Sequence, residues 1–207
     1  MMKLYQGTHV DHILAYRDKI ALTVSNAINQ FPRTMALRAD LHYPPILDNG
    51  DTVCCFPNLE PGAISRFLDS MKAILEAHEH RRKFAGIRVN KNVVRNVWAR
   101  EYSKNGKCHF HICLFFNKDA YYHLGHLKHS GTLSNLIVRA WYSALGLELE
   151  DCREIVHFPD NCRYVLNVND PDFDIIYNEL LERLDYLTKL DTKVFGEGDR
   201  SFGCSRG

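Results

Sequence analysis

The sequence lacks the features that mark several large classes of protein. Its apolar runs, such as Ile112–Phe116, are far too short to cross a bilayer. The first residues, MMKLYQGTHVDH, contain no apolar core of a signal peptide, so we expect no secretory signal. The seven cysteines include no CxxC pair, so neither a zinc ribbon nor a disulfide framework is indicated. We expect a cytoplasmic protein with no membrane partner.

Repeats, low-complexity tracts and Gly/Ser linkers are also missing. The 207 residues are 45% hydrophobic and 25% charged, which is typical of a soluble globular chain and argues against intrinsic disorder. There is no Walker A motif, so any helicase activity must come from another polypeptide. We therefore predict one domain at residues 33–207, preceded by a helical extension at residues 1–32.

Charge is distributed unevenly, although the net charge is only +1. Residues 81–107 contain nine Lys/Arg and one acidic residue, a local charge of +8. Residues 146–191 contain twelve acidic and four basic residues, a local charge of −8. This separation indicates a surface that faces a polyanion and is backed by an acidic flank, although two solvated faces of opposite sign would look the same.

Hydrophobic periodicity predicts an α+β fold. Helical spacing predicts helices at residues 9–31, 60–83, 132–145 and 171–190, and alternation predicts strands at residues 34–43, 93–102, 109–116 and 163–168. Pro44–Pro45 and the turn residues 48–51 end the first strand. The order after the first helix is that of a ferredoxin-like (split βαβ) antiparallel sheet. We expect helices on one face of this sheet, with an N-terminal helix and a C-terminal tyrosine-bearing helix added.

The most informative segment is CHFHICLFF, residues 108–116. Its alternation directs the aliphatic and aromatic side chains toward the packed helices and places His109 and His111 together on the opposite face. Two imidazoles at this spacing can bind one divalent ion. They also occur as ordinary strand histidines, so the pair alone does not establish a metal site.

Glu101 lies eight residues before His109, across a predicted hairpin. A two-residue turn would direct the carboxylate into the apolar face, where an unpaired charge is costly. A three-residue turn at residues 104–106, with Gly106 in the left-handed conformation, would instead pair Glu101 with His109. We prefer this second turn because it places the polar groups on one side. Two imidazoles and a carboxylate suit Mg²⁺ or Mn²⁺, and zinc is also compatible.

The last predicted helix carries the segment YLTK, with Tyr186 and Lys189 three residues apart. Residues at this spacing share a helix face, so the phenol and the ammonium should point the same way. The pKa of a tyrosine hydroxyl is about 10, and a nearby ammonium or metal ion favours the nucleophilic phenolate. A partly buried tyrosine beside a surface lysine is the alternative.

Other polar residues are candidates for supporting roles. Arg38, Asp40 and His42 alternate with apolar residues on the first predicted strand and should share the open face with the histidines. Arg38 is a candidate phosphate contact, and Asp40 and His42 are candidates for positioning the metal ligands. The polar face of an edge strand would explain all three equally well. Arg95 and Lys107, in the basic segment, are further candidate DNA contacts.

These elements together resemble a known family. The pattern ExxxxxxxHxH (Glu101, His109, His111) followed downstream by YxxK (Tyr186, Lys189) resembles the HUH endonucleases. The segments RADLH, HFH, YLTK and RSFGCSRG are similar to the filamentous-phage (inovirus-type) and prophage replication initiation proteins of the YagK/YfjJ type. The strand ALRADLHYP departs from the threonine-rich first motif of the initiators of small circular DNAs.

The resemblance implies an HUH-type domain that initiates rolling-circle replication of a phage, prophage or plasmid. Glu101, His109 and His111 would hold the metal ion, Tyr186 would attack the scissile phosphate and form a 5′-phosphotyrosine link, and Lys189 would stabilise the developing charge. The implied partners are single-stranded DNA at a replication origin and a host helicase and polymerase in trans. The alternatives are a single-tyrosine HUH transposase and a non-catalytic nucleic-acid-binding regulator on the same fold.

Overall fold

The structure, a computed structural model, describes residues 4–7, 10–44, 56–103, 105–149, 155–191, 193, 195 and 199–206. Within these residues the chain forms an α+β fold of helices and antiparallel strands, as the hydrophobic periodicity predicts. The strands are β1 (Leu4–Gly7), β2 (Val10–Ile13), β3 (Arg33–His42), β4 (Arg95–Tyr102), β5 (Cys108–Asn117), β6 (Val156–His157), β7 (Arg163–Asn167) and β8 (Phe202–Cys204). The helices are α1 (Leu14–Gln30), α2 (Ala63–Phe84), α3 (Leu133–Leu145) and α4 (Phe173–Asp185), and a 3₁₀ turn (Tyr186–Thr188) follows α4.

A six-stranded antiparallel sheet organises the molecule. Its strands follow the order β6-β3-β5-β4-β8, and β7 pairs with β3 on the same side as β6. Strands β6 and β8 and the separate hairpin of β1 and β2 were not predicted from the sequence. Gly203 of β8 pairs with Trp98 of β4, and a Cβ atom at position 203 would lie 2.5 Å from the indole. Glycine therefore allows β8 to close this edge of the sheet.

The β4–β5 hairpin has the register expected for a three-residue turn. Glu101 is opposite His109, the Ser103 amide donates to the carbonyl of Lys107, and Gly106 has a φ of 70°. The left-handed conformation at Gly106 costs little because glycine has no Cβ. Residue 104 of this turn lies outside the described residues, as do residues 45 and 48–51 of the predicted turn after β3.

Helices pack on both faces of the sheet, so the expectation that one face is left open is wrong. Helices α2 and α3 cover the face that carries Met35 and Leu37, whereas α1 and α4 cover the face that carries Ala36 and Phe115. The alternation of β3 was misleading because its second face carries small and polar side chains. The apolar side chains that attract α1 and α4 come mainly from β4 and β5.

The N-terminal segment is also more integrated than predicted. Residues 10–13 form β2 and not the start of a helix, and His12 forms a β-bridge with Lys189. Ile20 and Val24 of α1 are buried in the same cluster as residues of the sheet. The predicted boundary between residues 1–32 and 33–207 therefore divides segments that share one core.

The C-terminal helix ends earlier than expected. The predicted helix 171–190 is α4 followed by the 3₁₀ turn, so Tyr186 lies where the α-helix ends and not within it. Helix α2 begins later than predicted, at Ala63, directly after Gly62. No helix among the described residues is both long and apolar enough to span a membrane.

Candidate active site

The three expected ligand groups converge at one end of the sheet. One ligand atom from each of Glu101, His109 and His111 lies within 4.8 Å of the other two. The Nε2 atoms of the two histidines are 3.2 Å apart, and Glu101 Oε2 is 3.5 Å from His111 Nε2. Within the described ranges, no other group of His, Cys, Asp and Glu side chains has this arrangement. The register of the β4–β5 hairpin explains the convergence, because it sets Glu101 beside His109.

The hydrogen bonds of the two imidazoles orient them toward the cluster. His111 Nδ1 is 2.6 Å from Asp40 Oδ1, and His109 Nδ1 is 3.4 Å from the carbonyl oxygen of Lys107. Because the nearest partner of each Nδ1 is an oxygen acceptor, we assign the proton to Nδ1, which leaves each Nε2 with a lone pair. Two lone pairs this close repel one another unless a cation or proton lies between them.

Glu101 completes a set of donors that fits a divalent cation. Its side chain is 1% exposed, and Oε2 is buried with no hydrogen-bond partner among the residues that the structure describes. A buried carboxylate oxygen without a donor is costly, and a cation would remove that cost. The two Nε2 atoms and this oxygen together supply the mixed nitrogen and oxygen ligands that Mn²⁺ accepts.

Lys193 is a site residue that the sequence analysis missed. Its Nζ is 3.0 Å from Glu101 Oε1, and its side chain is fully buried. Burial alone would raise the pKa of Glu101, but the neighbouring His111 and the Lys193 ammonium outweigh burial and lower that pKa to about 2. Burial lowers the pKa of Lys193, and Glu101 opposes this in part. No local pattern marks Lys193, since its contact spans 92 residues.

Arg38 and Asp40 of β3 flank the cluster on the side of His111. Asp40 Oδ1 accepts hydrogen bonds from His111 Nδ1 and from Arg38 Nη2, the latter at 3.2 Å. Burial would raise the pKa of Asp40, but these two partners lower it overall. Burial would lower the pKa of His111, but Asp40 and Glu101 raise it overall. Asp40 therefore orients His111 and holds its tautomer, as proposed from the strand alternation.

His42 lies beside the cluster without joining it. Its ring stacks on that of His109, with the centroids 5.5 Å apart and the planes at 14°. Burial lowers the pKa of both rings, and a neighbouring imidazole lowers each further: His109 acts on His42, and His111 acts on His109. His42 therefore packs against a candidate ligand residue, and the lowered pKa values favour the neutral form of both rings.

Tyr186 and Lys189 lie next to the cluster. The Tyr186 ring is 5.1 Å from the His111 ring, nearly perpendicular to it, and Lys189 Nζ is 4.1 Å from the Tyr186 ring centroid. Burial raises the pKa of Tyr186, and the carboxylates of Glu101 and Asp40 raise it further. Burial and the two carboxylates therefore favour the protonated phenol.

Two contacts of the N-terminal segment hold the tyrosine-bearing turn in place. His12 Nδ1 is 2.7 Å from Thr188 Oγ1, and Arg17 pairs with Asp185 through two hydrogen bonds. Burial would raise the pKa of Asp185, but Arg17 and the other partners lower it overall. These residues are far from the turn in sequence, so the sequence analysis missed them.

The chain matches the family described as "YagK/YfjJ C-terminal domain" over residues 1–205. It belongs to this family. YagK of Escherichia coli K12 is 56% identical over 205 residues, which cover 99% of both chains. YfjJ of the same strain is 41% identical over 208 residues, which cover 98% of this chain and 99% of YfjJ. Both relatives are named as uncharacterized proteins, and no solved structure matches the chain.

The candidate DNA contacts of this family member are divided between two places. Lys107 is exposed at the hairpin, next to the cluster, whereas Arg95 is at the opposite end of β4. Six residues of strand separate Arg95 from Glu101, a distance of about 20 Å. Arg95 donates to the Gln30 side chain and to the carbonyl of Arg206. The structure therefore brings Lys107 and Arg38, but not Arg95, to the site.

Proposed function

We propose that this chain is an HUH-type, metal-dependent DNA endonuclease and strand transferase that initiates rolling-circle replication of a phage, prophage or plasmid. The observation that carries the proposal is the convergence of Glu101, His109 and His111, with Tyr186 at the edge of the cluster. The four residues come from three separate segments of the chain, and the arrangement combines a donor set for a cation with a potential nucleophile.

The topology supports a ferredoxin-like core for this enzyme. Strands β3 and β4 flank β5, α2 connects them, and each is antiparallel to β5. Strand β7 follows α3 and pairs antiparallel with β3. The resulting order β7-β3-β5-β4 is the one that two interleaved split βαβ units produce. We propose that α1 and α4 are additions to this core that place the tyrosine over the ligand residues.

In the proposed reaction the chain's own residues position the nucleophile and the phosphate. A divalent ion, Mg²⁺ or Mn²⁺, held by Glu101, His109 and His111 would act as a Lewis acid on the scissile phosphodiester. The Tyr186 oxygen bonds to phosphorus as the bond to the 3′ oxygen breaks. The phenol loses its proton and the leaving oxygen gains one, so a 5′-phosphotyrosine and a free 3′-OH result. Lys189 lies where its ammonium stabilises the charge that develops.

The products define the partners that we propose. The free 3′-OH primes synthesis by a host polymerase, and a host helicase in trans unwinds the duplex, which places the reaction in the cytoplasm. The phosphotyrosine retains the energy of the broken bond, so the strand can be rejoined without ATP. The substrate is single-stranded DNA at the replication origin.

The test is formation of a covalent protein–DNA adduct. Origin-containing single-stranded DNA is incubated with the protein and Mn²⁺, and the adduct is detected by denaturing electrophoresis. We expect an adduct from the wild type and from Tyr177→Phe, whose ring stacks on Phe173 away from the cluster. We expect none from Tyr186→Phe or in the presence of EDTA. An equal yield from Tyr186→Phe, or no adduct from the wild type, would overturn the proposal.

A further inference from the structure

A cavity of about 410 Å³ opens beside the candidate active site. It lies between β3, β5, the segment that follows β6, and α4. Both His111 and Tyr186 line it, together with Pro159. Glu101 and His109 are not among its lining residues, so the cavity lies on the Asp40 side of the His111 ring and the ligand cluster lies on the other.

Two arginines from different elements line this cavity. Arg38 is 4% exposed, its Nη2 donates to Asp40, and its Nε has no hydrogen-bond partner among the described residues. Arg183 of α4 donates from Nη2 to the carbonyl of Asp160 at 3.3 Å, and its buried Nε is likewise without a partner in the described part of the chain. Buried donors are normally satisfied. Here two guanidinium groups each keep one unused donor, so this side of the cavity has too few acceptors.

The acidic groups at the cavity do not cancel this donor excess. Asp40 Oδ1 already accepts from Arg38 and His111, and its Oδ2 lies 3.7 Å from His157. Glu182 is the other acidic lining residue, and it is exposed. Arg183 belongs to the segment 146–191, where acidic residues outnumber basic ones twelve to four, so a basic residue at this position is a local exception.

We propose that this cavity binds the phosphate of the nucleotide next to the scissile phosphodiester, with Arg183 and Arg38 as its contacts. The inference rests on the proposed function, since it assumes that single-stranded DNA reaches Tyr186. Guanidinium groups match phosphate because they present paired donors in a plane. Tyr186 borders both the cavity and the cluster, so a strand held in the cavity would present the following phosphate to the phenol.

The test measures binding of labelled oligodeoxythymidylate in EDTA, where no cleavage is expected, over a range of salt concentrations. Loss of a charge-assisted contact in Arg183→Gln should weaken binding about tenfold or more. The slope of log K against log salt should fall by about 0.7, the value for one phosphate contact on a single strand. Arg183→Lys should keep the slope and recover part of the affinity. Arg139→Gln, on α3 across the sheet, is the matched control and should bind as the wild type does.

The possible outcomes separate this inference from the proposed function. Unchanged affinity and slope in Arg183→Gln would overturn the nucleotide site, and a wild-type adduct would leave the nuclease intact. Inorganic phosphate could protect the protein against thermal unfolding as strongly as the oligonucleotide does, with the same dependence on Arg183. That result would show a site for free phosphate and overturn the strand contact. If the wild type gives neither binding nor an adduct, both proposals fail.

Discussion

The two faces of the central sheet use the same strands for different purposes. The face beneath α2 and α3 is apolar along its length, from Met35 to Leu41 on β3, and it packs around Trp141. The face beneath α1 and α4 is apolar around Ala36 and Phe115 and along β4 as far as Ala99. At its other end the side chains are those of the ligand cluster and its polar partners.

The difference shows how a small domain can hold a polar site without losing its core. Burying polar groups costs free energy unless they are paired, and the pairs Glu101–Lys193 and Asp40–His111 reduce that cost. The continuous apolar face then provides most of the stabilisation. We therefore expect substitutions on the two faces to have separable effects on stability and on function.

The largest effect is expected on the apolar face. Phe67→Ala removes a side chain that is fully buried under the sheet, so the free energy of unfolding should fall by about 3–5 kcal/mol. Phe84→Ala changes the same residue type on the same helix at a site that is 90% exposed, and it should have little effect. Urea unfolding measures both. Equal losses in the two variants would contradict the assignment of this face as the core.

A smaller loss of stability is expected when the buried ion pair at the polar end of the face beneath α1 and α4 is broken. Lys193→Met leaves Glu101 buried without its cationic partner, so the free energy of unfolding should fall by about 3 kcal/mol at neutral pH. The double variant with Glu101→Gln should recover most of this loss, because the unpaired charge is gone. Lys19→Met, on an exposed position of α1, is the control.

Acid should remove the stabilisation that the Glu101–Lys193 pair contributes. The pKa of Glu101 in the folded protein, about 2, is below its ordinary value of 4.5. The stabilisation is therefore complete above about pH 4.5 and is lost as the pH falls toward 2. If the wild type and Glu101→Gln lost stability in parallel over this range, the ion pair would not contribute as described.

The smallest expected effect is the stabilisation by a bound cation. At a concentration of Mn²⁺ about 100 times Kd, the wild type should gain about 2.7 kcal/mol, which thermal unfolding detects as a higher Tm. His111→Asn should lose this gain, and His80→Asn, an exposed position on α2, should keep it.

The Mn²⁺ effect should also depend on pH. Because Asp40 and Glu101 raise the pKa of His111 above its ordinary value of 6.5, a proton competes with the cation as the pH falls through that raised pKa. The gain should shrink by up to about 1.4 kcal/mol per pH unit below that point, the effect of one competing proton. An equal gain at about pH 8 and about pH 5.5 would contradict a site on His111.

Much of the ligand cluster could be predicted because it depends on local geometry. The alternation of β5 placed His109 and His111 on one face, and the length of the turn before it decided the side taken by Glu101. Both inferences use a period of two residues over a short stretch of chain. The supporting position of Asp40 followed in the same way from the alternation of β3.

The rest depended on contacts that no local pattern encodes. The pairing of Lys193 with Glu101 and that of Arg17 with Asp185 join residues far apart in the chain. The covering of the second face by α1 followed from the apolar side chains of β4 and β5, and not from the strand β3 on which the prediction rested.

By itself, the sequence determined the α+β class, the principal helices and strands, and the register that joins Glu101 to the two histidines, because periodicity and turn length act between near neighbours. Only the tertiary structure decided that helices cover both faces, that α4 ends at Asp185, just before Tyr186, and that Lys193 neutralises the buried carboxylate. These features arise from the free energy of burying apolar surface and pairing buried charge, which depends on which distant segments meet.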